Sequence, residues 1–405
     1  MKLSKSISQR QGFVLPALGS TRFLSRNFGR RMVALVAIFF TLMLGARGAL
    51  AADSTPMSNA TQGYLVEELS GKVLEEQNSD TAYNPASAVK ILTAYATLKQ
   101  MGPDFRFETK VSLDGTTDGP LFEGNIFIEG IDPFLNVESL RDIVAALKER
   151  GISQVKGTLF VNPEFIFAGN TSGQRSANVL VGLLSKRKGK VKIKQHAIDG
   201  VTFKLSRALV KAPPANAEVL KVVASQTVLA ILKDMLSRSD NEIAATFGRL
   251  LGGPQAIART CRADFNLNIN TLSIATASGL GVNRVTPKAM IAALNGFKRL
   301  LQSFKLKLSD ALPIAGVDIG TICRRFAESP LKGTMVGKTG TLKETDSGAS
   351  VLVGEMSTQV HGQILFVIFQ RGRNTAKLRL SQNNLLEDLL IASGGPGIKY
   401  DGYAQ

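Results

Sequence analysis

The sequence predicts an α+β chain, an α/β sandwich in which an antiparallel sheet carries helices on both faces and is interrupted by a small α/β insert. Three observations carry this reading. Two short strands joined by a tight turn lie near the start, three strand-like segments lie near the end, and helical periodicities fill the space around them. Between about residues 107 and 215 the pattern switches to strand, helix, strand, the signature of a separate α/β unit. The chain has 405 residues, 44% hydrophobic and 20% charged, enough for one large or two smaller domains.

Residues 1–51 stand apart. They hold eight Lys or Arg and no acid. Met32 to Leu44 form a short apolar run, followed by Ala49-Leu50-Ala51. A basic stretch, an apolar stretch of this length and a small-x-small end predict an export signal cut after Ala51. The run is short for a bilayer span, which needs about 20 apolar residues, so an uncleaved anchor is the alternative. Arg30-Arg31 hints at a twin-arginine signal. The formal charge is +17, and without those eight residues 41 basic side chains face 32 acidic ones, a balance of +9. Such a balance suits an anionic setting such as cell wall or membrane surface, and export places the chain in the periplasm. No zinc-ligand spacing and no interleaving of aromatic with basic residues points to nucleic acid. In an oxidising compartment Cys261 and Cys323 could pair; two buried free thiols are the reading adopted.

The elements follow in order. Tyr64 to Leu69 and Val73 to Glu76, joined by Ser70-Gly71, read as a hairpin. A helix follows Asn84-Pro85-Ala86, with Leu92, Tyr95 and Leu98 on one face and Met101-Gly102-Pro103 as its stop. In the insert, 107–215, Asn125 to Glu129 is a strand, Asn136 caps a helix from Val137 to Arg150, and Gly157 to Val161 is a second strand. The second half of the insert is weakly patterned. It carries the basic run Lys186, Arg187, Lys188, Lys190, Lys192 and Lys194, which is either a solvated loop or an exposed patch for an anionic surface. Helical pattern resumes at about Ser225, breaks at Ser239-Asp240-Asn241 and runs on to Leu251. Met335 to Leu342, Ala349 to Glu355 and Gln363 to Phe369 are strands, and Leu378 to Ile391 is the last helix. Ile364 to Phe369 is apolar at every position, so this strand is expected to be covered on both faces. The resulting division is a leader at 1–51, a discontinuous body of 52–106 and 216–405, and the insert between.

Three short motifs carry chemistry. Ser87-Ala88-Val89-Lys90 is S-x-x-K, Ser239-Asp240-Asn241 is S-D-N, and Lys338-Thr339-Gly340 is K-T-G, continued by Thr341. In this order they are the signature of class A β-lactamases and penicillin-binding proteins. Residues three apart on a helix share a face, so the Lys90 amine can reach the Ser87 hydroxyl. A serine hydroxyl becomes an effective nucleophile when a neighbouring base takes its proton, and a lysine is such a base only when neutral. Desolvation and a nearby cation such as Lys338 are both expected to lower the pKa of Lys90. Ser239 is placed to relay a proton to the leaving amine. Asn241 suits the substrate amide and the orientation of Lys90. Lys338, Thr339 and Thr341 suit a terminal carboxylate, and Gly340 lets an extended substrate lie against the strand. The backbone N–H groups of Ser87 and Thr341 are the expected oxyanion hole. His196 and His361 read as ordinary residues, which argues against a Ser-His-Asp triad. No metal or cofactor is expected.

At these motifs the chain resembles the class C low-molecular-mass penicillin-binding proteins, the D-alanyl-D-alanine carboxypeptidase/endopeptidase group. The likeness extends to Asn84-Pro85-Ala86-Ser87, to Gly102-Pro103-Asp104-Phe105-Arg106-Phe107 and to Gly157-Thr158-Leu159. It continues through Ser278-Gly279-Leu280, Asn283-Arg284-Val285-Thr286-Pro287 and Leu312-Pro313-Ile314-Ala315-Gly316-Val317-Asp318, covering most of residues 60–393. It implies a transpeptidase-like, β-lactamase-like body and a periplasmic hydrolase acting on peptidoglycan stem peptides, with β-lactams as covalent inhibitors. Lys338 with Thr339 and Thr341 favours a leaving residue with a free α-carboxylate, so carboxypeptidase activity is expected first and endopeptidase activity second. Two departures bear on substrate range: only 152 residues separate Ser87 from Ser239, and the usual Gly-Gly-Gly-Asp-Pro of the insert reads Gly130-Ile131-Asp132-Pro133. The alternatives are a class A-like β-lactamase, for which no E-x-x-L-N context supplies the deacylating glutamate, and a catalytically silent wall-binding protein on the same fold.

Overall fold

The computed structural model describes residues 61–401 apart from 131, 136, 164, 166, 168–171 and 185–200. The export signal of residues 1–51, the Asn136 cap, Ile131, the basic run Lys186 to Lys194 and His196 lie outside the described residues. The hairpin is present as β1 (Gln62–Glu68) and β2 (Val73–Gln77). A 3-10 turn, Ala86–Ala88, then opens into α1 (Val89–Met101). This helix ends where Gly102, at φ 80°, donates its N–H to the Leu98 carbonyl. Every residue from Val89 to Leu98 is buried, so α1 is a central helix and not an amphipathic surface one. Its polar side chains are satisfied: the Thr93 hydroxyl donates to Ala277 O at 2.7 Å and that of Thr97 to Thr93 O at 2.8 Å.

A mixed sheet follows. It contains β3 (Glu108–Asp118), β4 (Leu121–Gly130), β5 (Gln154–Val161), β6 (Thr202–Val210) and β7 (Glu218–Ala224), in the order β6-β5-β4-β3-β7. The parallel pairs β4–β5 and β5–β6 require crossovers, supplied by α2 (Val137–Glu149) and α3 (Gly173–Leu184). The predicted strands are the middle of β4 and the end of β5. The strands β3, β6 and β7 and the helix α3 were not expected. This sheet closes over its own apolar cluster, including Val111, Ile126, Ile128, Leu147 and Leu159.

The second sheet is antiparallel throughout. It consists of β10 (Met335–Leu342), β11 (Ala349–Thr358), β12 (Gly362–Arg371) and the first hairpin, in the order β10-β11-β12-β1-β2. Between α1 and these strands run α4 (Val228–Arg238), α5 (Asn241–Leu250), α6 (Pro254–Asp264), the short pair β8 (Leu272–Ser273) and β9 (Arg284–Val285), α7 (Pro287–Ser303) and α8 (Leu308–Ala311). The chain closes with α9 (Thr375–Ala392). The helices α6 and α7 lie outside the sequence expectations. Caps mark most starts: Thr227, Thr286 and Asn374 each accept a first-turn N–H on their side chains.

Strand β12 shows why this sheet has helices on both sides. Leu365, Val367 and Phe369 join the cluster formed with α1, α4 and α7, while Ile364, Phe366 and Ile368 join the one that holds Leu386, Leu389 and Leu390 of α9. The unbroken apolar run is therefore a strand sandwiched between two helical layers, as expected. Both described cysteines are free; Cys261 is buried and Cys323 only half-buried, which corrects the expectation of two buried thiols. Truncating the fully buried Phe366 to Ala is predicted to lower stability by about 3–5 kcal/mol in equilibrium urea unfolding. A loss below about 1 kcal/mol would mean that the α9 side of the sheet is not a packed core.

Candidate active site

The residues of the site come from three places that the fold presses together. Ser87 sits in the 3-10 turn that opens α1, and Lys90 lies one turn further on. The bend between α4 and α5 carries the second motif. There Ser239 closes α4 in a left-handed conformation, φ 61°, and Asp240 caps α5 by accepting the Glu242 and Ile243 N–H groups. A non-glycine residue in that region stores strain of about 1 kcal/mol or more, and the Asp240 cap helps to hold it. The third motif lies on β10, where Thr339 and Thr341 share the half-buried face and Lys338 and Gly340 the buried one.

The close approach of these parts depends on glycine. A Cβ on Gly340 would stand 2.8 Å from Pro85 O and 3.0 Å from Ser87 N, so β10 lies against the Ser87 turn only without a side chain there. Gly279, at φ +85°, meets the same turn from the other side; its Cβ would stand 1.9 Å from Ala86 O.

The hydrogen bonds form two groups centred on the two lysines. The Lys90 amine donates to Ser87 Oγ at 3.1 Å, to Asn241 Oδ1 at 2.7 Å and to Ser278 O at 2.7 Å. Lys338 donates to Ser239 Oγ at 2.8 Å and to Thr339 O at 2.7 Å. Both lysines are fully buried. Burial lowers the Lys90 pKa to about 8, against the opposing pull of Asp240. Burial, and then repulsion from Lys90, hold the Lys338 amine well below its ordinary range. Desolvation is the main cause at both amines, and their repulsion is mutual.

All eight predicted site residues meet here, seven of them linked by the hydrogen bonds of the two lysines or by the approach at Gly340. The two threonines are tied to residues the sequence did not point to. The Thr339 hydroxyl donates to Thr321 Oγ1 at 2.8 Å, and Arg379 of α9 donates to Thr341 Oγ1 at 3.1 Å. Together with Ser87 and Ser239 these residues line a cleft of about 550 Å³, whose wall is completed by Arg324 and Arg325. Sequence reasoning missed the Ser278 carbonyl, Thr321 and the three arginines. Ser278 lay in a quoted block but had no role assigned. His361 instead pairs with Glu68 on the first hairpin, at 3.0 Å, and takes no part in the cleft.

Comparison with known proteins gives this arrangement a family. The model of the D-Ala-D-Ala carboxypeptidase 3 (S13) family matches residues 48–178 and 172–388. A carboxypeptidase of Mycobacterium tuberculosis is 26% identical over 373 residues, covering 80% of this chain and 78% of its own. The D-alanyl-D-alanine carboxypeptidase DacB of Haemophilus influenzae is 22% identical over 422 residues, covering 78% and 86%. Among solved structures, the predatory peptidoglycan endopeptidase Bd3459 of Bdellovibrio bacteriovorus superposes with a TM-score of 0.71 at 20% identity, over 84% of this chain and 95% of its own, which shows a shared fold. With its model matching most of the chain, and with the three motifs converging on one cleft, the chain belongs to the D-Ala-D-Ala carboxypeptidase 3 (S13) family.

Proposed function

We propose that this chain is a periplasmic serine D-alanyl-D-alanine carboxypeptidase, with D,D-endopeptidase activity second, acting on peptidoglycan stem peptides and acylated by β-lactams. The observation that carries this reading is the buried Lys90 amine, 3.1 Å from Ser87 Oγ and held from behind by Asn241 and Ser278. Catalysis begins with Lys90 in its neutral form, which takes the hydroxyl proton as Ser87 Oγ attacks the carbonyl of the penultimate D-alanine. The backbone N–H groups of Ser87 and Thr341 hold the oxyanion. As the tetrahedral intermediate collapses, Ser239 passes a proton to the departing amine, with Lys338 behind its hydroxyl at 2.8 Å. Water then hydrolyses the acyl-enzyme by the same groups in reverse.

Thr339 and Thr341 offer hydroxyls to the carboxylate beside the scissile nitrogen, while the Lys338 amine is directed at Ser239 and Thr339 O. Gly340 keeps the strand flat for an extended peptide. A β-lactam presents an amide and a carboxylate in the same relation, so it enters the same chemistry. In this reading residues 1–51 are the export signal, and 107–215 are an insert in a penicillin-binding body. Contact with the cell wall or membrane surface is peripheral.

Replacing Ser87 with Ala is predicted to abolish covalent labelling by a fluorescent penicillin and to lower turnover on the order of a millionfold. Labelling that persists in this variant would move the nucleophile elsewhere. Digestion of muropeptides followed by mass spectrometry is predicted to show pentapeptides losing one alanine, with dimers converted to monomers more slowly. Penicillin acylation without either product would place the substrate outside peptidoglycan.

A further inference from the structure

Three arginines stand in the cleft. Arg324 and Arg325 lie in a 3-10 turn, Arg324–Phe326, and Arg379 lies in α9. Arg325 is held as a fixed fork: its Nε donates to Asn383 Oδ1 at 2.8 Å, and its second nitrogen donates to Gln382 Oε1 at 2.9 Å and Arg379 O at 3.0 Å. Its guanidinium also lies over the Phe326 ring, 5.1 Å from the centroid. All these partners are neutral. Among the described residues no Asp or Glu pairs with any of the three arginines. Burial, and then the charge of Arg379, disfavour the charged form of Arg325, so the cluster is under its own repulsion. Arg324 and Arg379 are exposed, with their charges open to the cleft.

The position of the cluster gives it a meaning. Thr339 and Thr341, the hydroxyls for the leaving residue's carboxylate, are bonded to Thr321 and Arg379. The arginines therefore place positive charge in the same cleft, beside the threonines that serve that carboxylate. A departing D-alanine carries one carboxylate, already served by the threonines. The acceptor strand of a crosslink carries that carboxylate and others further along its stem.

We propose that Arg324, Arg325 and Arg379 form a second anion subsite that takes the further carboxylates of the leaving strand when a crosslinked stem is cut. This rests on the reaction proposed at Ser87 and deepens it. In both reactions the same carbonyl–nitrogen bond breaks and the same acyl-enzyme forms; only the leaving amine differs. Arginine suits such a site, because its planar fork grips carboxylates in pairs of hydrogen bonds.

The test compares kcat/KM on three substrates: monomeric pentapeptide, a crosslinked dimer with free acceptor-stem carboxylates, and the same dimer with those carboxylates amidated except the one beside the scissile bond. The enzymes are the wild type and the Arg324→Gln/Arg379→Gln double variant, which leaves the packed Arg325 in place. The wild type is expected to cut the free dimer about tenfold faster than the amidated one, the effect of roughly two exposed ion pairs. In the double variant that ratio is expected to fall to about one, the signature of a direct coupling. A wild-type ratio near one, or a ratio that survives in the double variant, overturns the subsite. Activity on pentapeptide together with indifference to amidation refutes the subsite alone. Inactivity on all three substrates refutes the reaction at Ser87 as well.

Discussion

Two lysine side chains buried in one cleft without a carboxylate partner set the terms for the rest of this structure. Three other buried or nearly buried cations are neutralised directly: Lys298 by Glu355, Arg284 by Asp346 and Lys233 by Asp318. Lys90 and Lys338 have instead a carbonyl, an amide oxygen and hydroxyls. An ammonium group taken out of water without an opposite charge costs several kcal/mol, and a second one nearby adds to it. The protein answers by lowering both pKa values, so that a proton is easily given up. A pair of amines poised in this way is what a serine nucleophile needs from its surroundings, and it is unfavourable for stability alone.

The scaffold keeps this arrangement in place. The central helix α1 is buried along its length and carries Ser87 and Lys90 at its start. The Asp240 cap fixes the bend that delivers Ser239 and Asn241 to the two lysines. Strand β10 is held by β11 along its whole length, Met335 opposite Met356 through to Leu342 opposite Ala349. A second layer fixes the Ser87 turn: Asn84 donates to Asp346 and to Gly281 O, and Asp346, itself at φ 57°, pairs with Arg284. Phe134 packs, tilted, between Phe107 and Phe247, with ring centroids 5.5 Å and 5.1 Å away, linking the residue before β3 to α5, the helix that begins with Asn241. The machinery is thus carried on rigid elements, and the cleft wall beyond it is built from a turn and the exposed side of α9.

The body of the fold was legible because its signals are local. Ile364 to Phe369 is apolar without a break, and the structure covers it on both faces. Ser239-Asp240-Asn241 interrupts a helical pattern, and a left-handed residue followed by an N-cap is what an interruption of that kind builds. The mixed sheet was only half legible. Strand β7 buries only Leu220 and Val223, and β3 buries inner residues only in its first half, so neither shows a clean alternation. The motif residues could be named from spacing alone, but their partners could not. Ser278, Thr321 and Arg379 reach the cleft through tertiary packing, and no periodicity marks them.

The central claim is that Lys90 works as a neutral amine because burial has lowered its pKa to about 8. The most direct measurement is the second-order rate constant for penicillin acylation of Ser87 across pH. Since the neutral form is the base, acylation should rise with pH and level off above an apparent pKa near 8. The value belongs to the coupled pair of lysines rather than to either alone. A rate constant that is flat from about pH 6 to 9, or that falls as the amine loses its proton, would contradict the account.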